Sequence, residues 1–156
     1  MYDSKNGFNS KISKTDLKTY IAQFDVKTYA KTRNHLSGNV SRLSPYITRG
    51  VISLPEIRDI VLDKHSYRTA EKFIQELAWR EYWQQVWYAK QEAIFTDLRF
   101  VRDDWAHFDL VAAIIAGKTS IVSLDKAVHE LYQTGYMHNH ARMWTAMLAC
   151  NVGKAH

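Results

Sequence analysis

From Thr69 to Lys90 the chain contains neither glycine nor proline, and this uninterrupted stretch constrains the fold more than any other feature. The two residues that most readily break a helix are missing over about six turns. Phe73, Ile74, Leu77, Tyr82, Val86 and Trp87 outline a wide apolar face along it. The segment reads as a long central helix. The chain before it supplies further helix signals. Leu17, Tyr20, Ile21 and Phe24 follow the spacing of one buried helical face, and Val26, Tyr29 and Ala30 carry apolar character on to Arg33. His35 to Arg42 reads as a loop because Gly38 and several short polar residues interrupt the period. Ser44-Pro45 offers a capping hydroxyl and a first-turn proline for a short helix over 45–49, with Gly50 as its stop. Ser53-Leu-Pro-Glu56 matches a capping box for a helix running to about Lys64.

After the central helix, residues 91–108 mix charges and aromatics without a period and are expected to be largely irregular. Asp109 to Ala116 before Gly117, Ser123 to Gln133 before Gly135, and His138 to Cys150 read as three further helices. Nothing alternates as a strand, so the fold class is all-α, a multi-helical domain over residues 12–156 behind a loose N-terminus at 1–11. At 46% apolar and 13% aromatic residues the chain can bury a core, which excludes a disordered tail. A lone cysteine, Cys150, excludes an internal disulfide and a cysteine-rich zinc site, and suggests a reducing compartment. No apolar run is long enough for a membrane span. The expectation is a soluble, cytoplasmic monomer without a metal. The net charge of +5 is unevenly spread, since residues 1–68 carry 12 basic against 6 acidic side chains. That asymmetry suits a phosphate-bearing partner without requiring one.

Three groups of residues carry chemistry. The loop holding Ser41, Arg42 and Ser44 gathers hydroxyls and a guanidinium as an anion cradle would, although a cap and a solvated arginine explain part of it. In the central helix, Trp79, Trp83 and Trp87 recur at four-residue steps, the spacing of packing residues. Glu76 could pair with Arg80 on the surface, or form with Trp79 the wall of a pocket for a planar ring, such as a base or a flavin. Near the end, Asn139, Arg142 and Met143 share a helical face that offers amide, guanidinium and thioether to a ligand. His138 and His140 stand two apart and diverge on a helix, which argues against a metal site.

Taken in order, Tyr29 with Arg33, Ser41-Arg-Leu-Ser-Pro-Tyr46 with Gly50, Glu76-Leu-Ala-Trp-Arg-Glu81 and Thr134-Gly-Tyr-Met-His-Asn-His-Ala-Arg-Met143 resemble the FAD-binding helical domain of the DNA photolyase and cryptochrome family. The resemblance runs from Tyr29 to Ala149. It implies that FAD is held by Tyr29, Val40, Ser41, Arg42, Leu43, Ser44, Asn139 and Arg142. It implies that Glu76 is the catalytic carboxylate touching an extruded pyrimidine dimer on which Trp79 stacks. Arg33, Arg80, Trp83, His140 and Met143 would lie near the DNA. The chain departs from the family pattern at Val40, where a threonine is usual, and in Thr119-Ser-Ile-Val-Ser-Leu-Asp125, where Gly and Pro are usual. It lacks the later Asp-rich and tryptophan-bearing segments and an N-terminal antenna domain, so the expectation is a partial domain. The implied function is light-driven electron transfer from reduced FAD to pyrimidine dimers in DNA. A cryptochrome-like photosensor without repair and a flavin-free helical nucleic-acid-binding module are the alternatives.

Overall fold

The computed structural model describes residue 9, residues 11–96 and residues 104–155. The N-terminus expected to be loose lies almost wholly outside these residues, as does the middle of the 91–108 segment. No strand occurs among the described residues, only one isolated bridge between His107 and Ala155. The architecture is therefore helical. Its contacts divide into two units, Ser10–Phe95 and Thr96–His156.

In the first unit, α1 (Lys14–Gln23) and α2 (Val26–Thr32) replace the single run suggested by the apolar period. The break has a local cause. Asp25 accepts hydrogen bonds from the N–H groups of Lys27 and Thr28, capping a new helix in place of continuing the old one. The short α3 (Ser44–Thr48) follows the loop, and its cap is Leu43, not Ser44 as expected. Ser53 and Glu56 form the anticipated capping box at the start of α4 (Leu54–Lys64). The long helix, α5 (Tyr67–Lys90), begins at the Ser66 cap and ends in a 3-10 turn over Gln91–Phe95. Leu17 and Ile21 of α1, Ile57 and Val61 of α4, and Ala70 and Phe73 of α5 are buried in this unit. Full burial of such an aliphatic side chain contributes roughly 1.5–3 kcal/mol.

The apolar face expected along α5 is covered only in its first half. Beyond Phe73 no residue of the helix is buried, and Tyr82 and Trp87 are exposed. Periodicity shows that a face is apolar, but it does not show what covers it.

In the second unit, α6 (Ala112–Ile115) is shorter than the segment 109–116 suggested, α7 spans Val122–Thr134, and α8 (Asn139–Met147) passes into a π-helical turn over Leu148–Val152. Gly135 closes α7 in the left-handed conformation at φ 71°. Ala127, Val128, Met137 and Ala141 form the buried cluster here, with Leu131 against it. The turn before α7 is closed by Asp125, whose carboxylate accepts from the N–H of Thr119 at 2.8 Å and from its hydroxyl at 2.6 Å. Those bonds hold the Asp125 carboxyl below its ordinary pKa.

Candidate functional site

The first unit builds its loop by long-range anchoring. Asn39 donates its side-chain amide to the Asp25 carbonyl and its backbone N–H to the Thr32 hydroxyl oxygen, each at 3.0 Å. Gly38 permits this approach, because a Cβ there would stand 1.9 Å from the Thr32 carbonyl oxygen. Tyr20, which sequence reasoning did not single out for the site, donates its phenol to the Ser41 carbonyl at 3.2 Å. Burial raises the Tyr20 pKa above 10, with the Arg42 charge working in the opposite direction.

Arg42 turns the loop at φ 51°, a left-handed conformation uncommon for a residue with a side chain. Leu43 is buried, whereas Ser41 and Ser44 keep their hydroxyls unengaged among the described residues. Because Leu43 rather than Ser44 occupies the cap position, the Ser44 hydroxyl is released from that duty. Two hydroxyl donors flanking a guanidinium fit a diphosphate, so the donor set suits the phosphates of a dinucleotide. Val40 offers no hydroxyl. Tyr29 packs its buried ring against Phe24 and Phe73, with centroids 5.8 and 5.2 Å away. Its ring is part of the core of this unit.

The same unit carries Glu76, Trp79, Arg80 and Trp83 on α5. In place of the Glu76–Arg80 pair that the spacing allows, each of the two residues meets other partners. Arg80 bonds the Thr48 hydroxyl at 2.6 Å, tying α5 to α3. Glu76 pairs with Arg33 at 3.0 Å and with Lys72 at 3.6 Å. One turn along, Trp79 is 55% exposed and meets Tyr82 edge-on at 5.6 Å, while Tyr82 meets Trp83 at 5.3 Å. The stripe of tryptophans, whose spacing suits packing, is thus mostly open to solvent in this unit. An open indole can stack on a flat ring while the carboxylate beside it accepts a hydrogen bond from that ring.

In the second unit, His138 caps α8 by accepting from the His140 N–H at 3.2 Å. Asn139 and Met143 meet across one turn at 3.9 Å, as their i, i+4 spacing requires. Arg142 instead donates its Nε to the Met137 carbonyl at 3.2 Å and borders an apolar cavity of about 420 Å³. Leu110, Ile114, Leu131 and Ala149 also line that cavity. The His140 ring lies tilted against those of His138 and Trp144, with centroids 5.5 and 6.3 Å away. Among the described residues no three metal-ligating side chains converge.

The family model described as the FAD binding domain of DNA photolyase matches residues 73–153. A deoxyribodipyrimidine photo-lyase from Thermus thermophilus is 34% identical over 128 residues, covering 78% of this chain and 30% of that protein. One from Streptomyces griseus is 33% identical over 120 residues, 76% of this chain and 26% of that protein. Cryptochrome-2 of Arabidopsis thaliana is 30% identical over 136 residues, 78% of this chain and 22% of that protein. The chain thus spans less than a third of the length of these relatives. A solved Synechocystis cryptochrome shares the fold with a TM-score of 0.81 at 22% identity, over 99% of this chain and 35% of that one. FAD is the cofactor of the matched domain. Because the match covers more than half of the chain and includes both the α5 carboxylate and indole and the α8 motif, this protein belongs to the DNA photolyase and cryptochrome family.

Proposed function

We propose that this chain serves as the flavin- and lesion-binding part of a photolyase, acting on pyrimidine dimers in DNA. In that reading bound, reduced FAD supplies light-driven one-electron chemistry. The observation that carries the proposal is the pairing on one turn of α5 of Glu76, with a carboxylate oxygen left open, and Trp79, with its indole exposed. A dimer swung out of the duplex needs a stacking surface for its loss of base stacking and an acceptor for its ring N–H groups. Trp79 and Glu76 offer these in that order. Ser41, Arg42 and Ser44 would bind the FAD phosphates, with Tyr29, Val40 and Leu43 as the wall of that loop and Asn139 and Arg142 as further cofactor contacts. Arg33, Arg80 and Trp83 of the first unit, and His140 and Met143 of the second, are the further residues assigned to the neighbourhood of DNA. The basic first half of the chain adds attraction for a polyanion.

The test is illumination of the chain with blue light in the presence of reduced FAD and an oligonucleotide carrying one thymine dimer. Chromatography should show intact thymines accumulating only in the light. Flavin binding without any thymine recovery would favour a cryptochrome-like photosensor, a second reading supported by the similarity to Cryptochrome-2.

A further inference from the structure

The ion pairs at Glu76 are one-sided. Arg33 Nη1 and Lys72 Nζ both approach Oε1, at 3.0 and 3.6 Å, while Oε2 has no partner among the described residues. Arg33 reaches this oxygen from the C-cap position of α2, whereas Lys72 lies one turn before Glu76 on α5 itself and also donates to Gln75 Oε1 at 3.3 Å. The Arg33 side chain is 20% exposed and that of Glu76 31%, so the pair is partly shielded from solvent.

We propose that Arg33 and Lys72 are positioning residues that hold Glu76 by one oxygen and present the other as a fixed acceptor to the imide N–H of an extruded pyrimidine. This rests on the dimer-recognition reading above. Three physical consequences support it. A glutamate side chain held before binding loses less rotamer freedom when the ligand arrives. An ionised carboxylate only accepts hydrogen bonds, so a thymine or uracil ring fits, while a cytosine ring, whose N3 is itself an acceptor, fits poorly. Two cations on Oε1 also offset the repulsion that a bare carboxylate would meet beside DNA phosphates.

The experiment is a double-mutant cycle on the chain. Affinity for a duplex with one thymine dimer and for the undamaged duplex is measured at several salt concentrations for the parent, R33Q, R33K, K72Q, E76Q, R33Q/E76Q and K72Q/E76Q. R33Q and K72Q should each lower the preference for damaged DNA, by roughly tenfold for R33Q and less for K72Q, and add almost nothing once E76Q is present. R33K should recover most of the loss. Additive losses in the double variants would overturn the proposal. So would an R33Q salt dependence shallower by nearly one contact, since Arg33 would then be a phosphate ligand. A parent with no preference for damaged DNA would remove the dimer-recognition reading and the proposal with it, and the parent measurement alone distinguishes that failure from the others.

Discussion

The phenol of Tyr20, on α1, donates to the Ser41 carbonyl 3.2 Å away, so the loop that carries the candidate phosphate donors is pinned from a helix 21 residues upstream. Tyr20→Phe removes this bond and keeps the ring. Stability should fall by about 0.5–1.5 kcal/mol, the ordinary net worth of one hydrogen bond. FAD affinity, followed by flavin fluorescence, should weaken several-fold as the loop loosens. Unaltered binding would show that the loop holds its shape without Tyr20.

Trp79→Ala separates stacking from packing. With the indole 55% exposed, its loss should shift the melting temperature only slightly. Affinity for dimer-bearing DNA should drop by about 1–3 kcal/mol while undamaged DNA is nearly unaffected. A large melting shift with equal loss for both DNAs would make Trp79 a structural residue.

Glu56 gives a pH dependence of defined sign. Its carboxyl accepts from Lys14 and from the Ser53 backbone and hydroxyl, and these bonds lower its pKa from 4.5 to about 2. A depressed carboxyl pKa stabilises the fold above the unfolded value, and that contribution is lost as pH falls from about 4.5 through about 2. Urea unfolding of parent and Glu56→Gln should therefore differ at pH 6 and converge toward pH 2. A gap independent of pH would contradict the assignment.

At Gly135, φ is 71° and an added Cβ meets nothing within 4 Å, so the penalty for a side chain is conformational alone. Gly135→Ala should lower stability by about 1–2 kcal/mol. Gly135→Asn should cost clearly less, because asparagine tolerates the left-handed region. Thermal melting of the two variants checks the order, and equal losses would point to a steric cause.

Helix ends were legible in the sequence wherever their chemistry is local. Ser53 and Glu56 close a capping box across three residues, and Gly135 ends α7 by its own conformation, so neither depends on the rest of the chain. The break between α1 and α2 was also local, in the Asp25 and Thr28 pairing, but the continuing apolar period masked it. The order of motifs around Ser41, Glu76 and Asn139 was enough to identify the family. Tertiary structure decided which groups these residues meet. Glu76 could equally have paired with Arg80 by helical spacing, yet Arg33 reaches it from α2 and Arg80 turns to Thr48. Such choices depend on how helices distant in sequence pack. The same holds for the tryptophan stripe: spacing places Trp79, Trp83 and Trp87 near one another on α5, whereas their exposure, and the edge-on meeting of Trp87 with Phe95 at 6.0 Å, follow from how the chain packs.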